Sequence, residues 1–228
     1  METNEWNYKN INTTFPGLVL KPSLYYQSNI SIHFDLARDL YQFKNETELN
    51  PDYFNRVYTQ AISLFNDLFS AEDKILLVTN VYQNKDFVRK SKKKMMVYRH
   101  YIQNKDVRFR LKQEMLPYMF DDEENTEDYC TSQFSLQCCK QDIRYLLLIK
   151  AICNQDFPVL KPRLHNPYRL YHPDVFFINL TNNVIFYIYD DRGCEIIASD
   201  IDTIRPIYEK YTDLVNEYFR VEIDQRFK

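Results

Sequence analysis

Val175-Phe176-Phe177-Ile178-Asn179, then Val184-Ile185-Phe186-Tyr187-Ile188-Tyr189, then Cys194-Glu195-Ile196-Ile197-Ala198 are three short runs of β-branched and aromatic residues. Such runs, bounded by turn residues, read as strands. Asn182-Asn183 joins the first two, and asparagine tolerates the positive φ of a tight hairpin. Asp190-Asp191-Arg192-Gly193 joins the next two, with Asp190 suited to open a type I turn and Gly193 to the left-handed position after it. The stretch therefore predicts a three-stranded antiparallel meander.

Beyond the meander, Ser199 or Asp200 caps a helix whose buried stripe runs Ile204, Ile207, Tyr208, Tyr211, Leu214, Val215 and Tyr218, with Pro206 in its first turn. Towards the N-terminus, Ile30, Ile32, Phe34 and Leu36 alternate with polar residues as a half-buried strand. Asn50-Pro51 then opens an amphipathic helix reaching Phe69, since an N-cap asparagine followed by proline at the first helical position starts a helix without losing a needed N–H. Residues 74–82 follow as a strand that is apolar on both faces at Ile75-Leu76-Leu77-Val78, which places it in the middle of a sheet.

The central region reads less simply. Residues 92–103 suit a helix, Val107, Phe109 and Leu111 alternate like a strand, and Phe134, Leu136 and Cys138 alternate again. Asp142 is positioned to cap a helix over residues 143–153. The expected architecture is α+β: a mainly antiparallel sheet with a C-terminal three-stranded meander and amphipathic helices packed on one face. All 228 residues form one domain, with residues 1–20 the candidate for a loosely ordered segment.

Composition narrows the function classes. Gly17 and Gly193 are the only glycines, and no phosphate-cradling loop or dinucleotide fingerprint can be written from them. A net charge of −3 provides no global field for a polyanion. Without a signal-peptide layout or an apolar run long enough to span a bilayer, the expected compartment is the cytoplasm, with no membrane partner. Five cysteines, an odd number, suggest reduced thiols there.

Four constellations bear on chemistry. Asp190 and Asp191 beside Arg192 could hold a cation or share a proton, yet the same letters make an ordinary exposed turn, which suits surface contact better than catalysis. Cys130, Cys138 and Cys139 with His165 or His172 lack any metal-site spacing, and no local pattern selects a nucleophile or base among the cysteines and His33, His100, His165 and His172. The dense basic run Arg89, Lys90, Lys92, Lys93 and Lys94, followed by Tyr98 and Tyr101, is the candidate nucleic-acid segment, although a binding face normally draws basic residues from several segments. The acidic stretch Asp121, Asp122, Glu123 and Glu124 could mimic phosphates towards a basic protein.

The segments Tyr187-Ile188-Tyr189-Asp190-Asp191-Arg192-Gly193, Asp202-Thr203-Ile204-Arg205-Pro206-Ile207-Tyr208-Glu209-Lys210-Tyr211 and Val221-Glu222-Ile223-Asp224-Gln225-Arg226-Phe227 together resemble the bacterial family called domain of unknown function 3885. The resemblance extends upstream through Ile32-His33-Phe34-Asp35-Leu36, Arg56-Val57-Tyr58 and His172-Pro173-Asp174-Val175-Phe176-Phe177. It implies one domain over most of the chain and brings no catalytic residues with it.

The residues point first to a non-enzymatic protein-binding module, with a toxin-neutralising immunity protein as its most concrete form. Its contacts are expected at Asp190, Asp191, Arg192 and the acids at 121–124, where charge reversal should weaken partner capture and leave stability near wild type. No cofactor, resident metal or catalytic residue is expected. The rival is a metal-dependent hydrolase or nuclease that draws together Asp35, Asp190, Asp191 and Glu195, and a third reading is nucleic-acid binding through residues 89–101.

Overall fold

A computed structural model describes residues 8–88, 96–120, 126–164 and 171–228. The candidate basic residues Arg89, Lys90, Lys92, Lys93 and Lys94, the acids Asp121, Asp122, Glu123 and Glu124, and His165 lie outside those residues. In chain order the elements are α1 (Tyr8–Thr14), β1 (Ser31–Asp35), α2 (Pro51–Leu68), β2 (Lys74–Asn84), α3 (Lys85–Val88), α4 (Met96–Tyr101), α5 (Lys105–Arg108), β3 (Lys112–Pro117), β4 (Tyr129–Cys139), α6 (Tyr145–Cys153), β5 (Asp174–Asn179), β6 (Val184–Ile188), β7 (Gly193–Ala198), α7 (Ile201–Lys210) and α8 (Arg220–Phe227).

The seven strands form one sheet in the order β1-β7-β6-β5-β2-β4-β3, antiparallel at every pairing. β5, β6 and β7 are the expected meander, and β2 lies centrally between β5 and β4, as its two apolar faces require. On one face pack α2, α6 and α7, with Phe65 of α2 stacked on Phe69 and Tyr145 and edge-on to Phe177 of the sheet. On the other face Ile11, Phe15, Leu18, Leu20 and Leu24 cover Leu76, Val78, Phe176, Ile178, Ile185 and Ile197. Ile11, Phe15, Leu18 and Leu20, from the stretch expected to be loosely ordered, thus belong to the core.

Local chemistry explains where elements start. Asn50 accepts a hydrogen bond from the Asp52 N–H at 3.2 Å with Pro51 at the first helical position, and Asp200 caps α7 through the Asp202 N–H at 2.9 Å. Asn183 takes the positive φ of 53° in the first hairpin. Gly193, by contrast, is not left-handed. Glycine is needed there for space, because a Cβ would lie 2.5 Å from the Phe34 carbonyl oxygen and closer still to the Tyr189 hydroxyl.

Three expectations give way to side-chain caps and sheet edges. Residues 107–111 are not a strand: Asn104 accepts from the Asp106 and Val107 N–H groups at 3.0 and 3.4 Å, which starts α5, and strand pairing begins only at Lys112. Asp142 accepts from the Cys139 N–H at 2.9 Å and closes a 3₁₀ turn over Lys140–Asp142, so the helix begins later, at Tyr145. The C-terminal stripe is not one helix. α7 stops at Lys210, with Pro206 in its second turn, because Val215 bridges to Phe34 and the Asn216 N–H donates to the His33 carbonyl at 2.9 Å, covering the outer edge of β1. Tyr218 is consequently exposed, and α8 follows as a separate helix.

Candidate functional site

The turn between β6 and β7 is tucked inward. Asp190 is 4% exposed and Asp191 2%, which corrects the expectation that both acids project from the surface. Asp190 accepts from the Arg192 N–H at 2.7 Å and from Arg192 Nε at 2.9 Å, with Nη2 closing the pair. That turn-local fork sets the buried Asp190 carboxylate against a guanidinium whose side chain stays largely in solvent. Asp191 lies under the start of α2, where Tyr53 Oη donates to Oδ2 at 2.6 Å and Gln42 Nε2 donates at 3.2 Å. Burial raises the Asp191 pKa, the Tyr53 hydrogen bond opposes that rise, and Asp190 adds to it.

A third acid arrives from the end of α6. Oxygen atoms of Asp156, Asp190 and Asp191 lie within 4.8 Å of one another, the arrangement among the described residues that could hold a metal ion. His172 Nε2 lies 3.4 Å from Asp156 Oδ1 and lowers its pKa. Gln155 Nε2 donates to the Tyr189 carbonyl at 2.6 Å, which ties the α6 end to the turn. The neighbouring thiol of Cys153 is buried and its pKa is driven upward, with Asp191 and Asp190 adding to the effect. Cys194 is pushed in the same direction, so both thiols are held protonated and neither is an activated nucleophile.

Asp35 and Glu195, the other acids of the expected metal set, do not join this trio. Asp35 accepts from Asn216 Nδ2 at 2.7 Å. Glu195 is directed under the segment at Leu24–Gln27 and accepts from the Tyr25 N–H at 3.2 Å. The β1–β7 register sets His33 opposite Glu195, with Nδ1 3.7 Å from Oε1, while His33 Nε2 meets the Tyr189 hydroxyl at 3.0 Å. Burial lifts Glu195 to about 7 and lowers His33, so each group is pushed towards its neutral form and the 3.7 Å contact is not a full ion pair at neutral pH. Asp174 is another enclosed carboxyl. It is pushed up to about 6 by burial while accepting from Tyr187 Oη at 2.7 Å and from Tyr82 Oη.

Above the His33–Glu195 contact lies a group of rings that straddles core and solvent. Phe219 packs 4.5 Å from Tyr25 and 5.1 Å from His33 between centroids, and carries Tyr218 at 4.9 Å and Tyr26 at 5.8 Å on its outer side. Tyr26 is 71% exposed and Tyr218 87%, with exposed Val221 one turn further along. Sequence periodicity missed this patch because it assigned Tyr218 to the buried stripe. The signal that could have found it is Asn216, whose type favours ending a helix ahead of Tyr218.

Of the sequence-predicted site residues, the structure brings Asp190, Asp191 and Arg192 together and adds Asp156, Tyr53, Gln42 and His172 from distant segments. No helix among the described residues is long and apolar enough to cross a membrane.

The family model described as Domain of unknown function (DUF3885) matches residues 8–219. The chain belongs to this family. It is also 44% identical over 208 residues to the Uncharacterized protein YnaE of Bacillus subtilis (strain 168), covering 91% of this chain and 96% of that protein. No solved structure matches. The match to the family includes the Asp190–Arg192 turn, both hairpins and the Tyr26 and Phe219 positions.

Proposed function

We propose that the chain is a protein-recognition module, with neutralisation of a toxic protein as its most concrete form. The observation that carries this reading is the ring cluster at Tyr26, Tyr218 and Phe219. Two large rings stand mostly in solvent on Phe219, which packs against Tyr25 and His33, and aromatic side chains are what protein interfaces use for contact energy. Recognition therefore centres on these rings instead of on Asp190 and Asp191, which are committed to internal hydrogen bonds.

Affinity capture from lysate of the host bacterium, with wild type and the Tyr26→Ala/Tyr218→Ala double variant, tests this. Wild type should retain a stoichiometric protein at moderate salt and the double variant should lose it, with melting temperatures alike because both side chains are exposed. The toxin-neutralising form adds that the captured protein arrests growth when expressed alone and does not when co-expressed with this chain. Equal capture by the two forms, or no specific protein with either, overturns the assignment.

A second reading rests on the three clustered carboxylates. Asp156, Asp190 and Asp191 could hold a divalent cation and make the chain a metal-dependent hydrolase or nuclease, with Asp156 and His172 replacing Asp35 and Glu195 in the expected set. Metal-dependent thermal stabilisation is its first requirement.

A further inference from the structure

The two ends of the sheet are finished differently. At β1 the outer edge is closed by the chain itself, where Val215 bridges to Phe34 and the Asn216 N–H donates to the His33 carbonyl at 2.9 Å. At β3 no described strand pairs with the outer side, and Lys112, Gln113, Glu114 and Met115 are all exposed. An open edge strand is a template for pairing with another strand.

The side chains along β3 select the partner. In an antiparallel pair related by a two-fold axis at Gln113, Lys112 stands opposite the partner's Glu114, Glu114 opposite the partner's Lys112, and Leu111 opposite the partner's Met115. Moving the axis to residue 112 sets lysine against lysine, and moving it to residue 114 sets glutamate against glutamate. A parallel in-register pair opposes every charge with its like. Opposite charges facing across a pair are favourable and like charges are unfavourable, so one of these arrangements is selected. Lys112 also contacts its own chain, and the pairing adds a second neighbour to that one. Pro117, which lacks an N–H, bounds the paired stretch at its end.

We infer that β3 is the interface of a homodimer, in which two copies of this chain join their sheets antiparallel across a two-fold axis at Gln113. The open edge is then completed by an identical strand whose charges complement it in one register.

Sedimentation velocity of the full chain over a concentration series tests the assignment. Wild type should show concentration-dependent dimerisation. Lys112→Glu and Glu114→Lys each convert two opposite-charge pairs to like-charge pairs and should raise the dimer dissociation constant about tenfold. The charge swap Lys112→Glu/Glu114→Lys restores complementarity and should recover wild-type association, which separates lost pairing from lost folding. A wild type that stays monomeric up to about 1 mM, single variants that associate like wild type, or a double variant that fails to recover would each overturn it. Association through a foreign strand at the same edge would appear as a wild-type monomer in the pure protein.

Discussion

Replacing Glu195 with glutamine should make the protein more stable at high pH and leave it unchanged in mild acid. Glu195 is 4% exposed, and burial lifts its pKa from 4.5 to about 7 even though the Tyr25 and Leu24 N–H groups donate to it. A carboxyl whose folded pKa is raised contributes stability that is complete below the unfolded value of 4.5 and is lost as pH rises through about 7. At about 1.4 kcal/mol per unit, the loss is about 3 kcal/mol, and any protonation of His33 beside the carboxylate reduces it.

Glutamine stands in for the protonated acid and keeps an acceptor for the Tyr25 N–H. Urea unfolding of wild type and Glu195→Gln should therefore give equal stabilities near pH 4.5, diverging by up to about 3 kcal/mol in favour of the variant by pH 8. The comparison must be a difference between the two proteins. Asp174, raised to about 6, bends the wild-type curve in the same sense, and His33, lowered from 6.5, bends it in the opposite one. A stability difference independent of pH, or a variant that is the weaker protein at pH 8, would refute the argument that the carboxyl is held by enclosure against its own ionisation.

Two further outcomes follow from the turn. Gly193→Ala should cost at least about 2 kcal/mol in thermal unfolding, since its Cβ would meet the Phe34 carbonyl at 2.5 Å and the backbone there is pinned by pairing with Asp35 and by the Tyr189 N–H, which donates to the Gly193 carbonyl at 3.3 Å. A variant within experimental error of wild type would show that the turn is looser than its contacts indicate. If the carboxylate trio holds a cation, magnesium or manganese at about a hundredfold excess over its dissociation constant should stabilise wild type by about 2.7 kcal/mol and leave Asp191→Asn unmoved. An identical response in the two proteins, including none in either, removes the second functional reading.

Much of the fold is legible along the chain. The Asn50-Pro51 start of α2, the alternation in β1, the two-faced apolar run of β2 and the turns of the β5–β7 meander each depend on residues within a few positions of one another. Periodicity and turn chemistry report such local preferences directly. The structure departs from those local preferences where two of them compete, at Asn104, whose side-chain cap prevails over a three-residue alternation, and at Asp142, which closes a turn instead of opening a helix.

The site was legible in part. The Asp190-Asp191-Arg192-Gly193 turn stands out in the sequence, but its letters are those of an exposed hairpin, and only tertiary packing buries it by laying Tyr53 and Gln42 over Asp191 and bringing Asp156 alongside from the turn after α6. The exposure of Tyr218 was decided in the same way, by a β1 edge that captured Val215 and Asn216 and ended the helix early. Near neighbours along the chain determined where α2, β1, β2 and the β5–β7 meander form, because backbone preference is set locally. Which charges and rings face water was decided by the tertiary structure, because burial is conferred by groups distant along the chain.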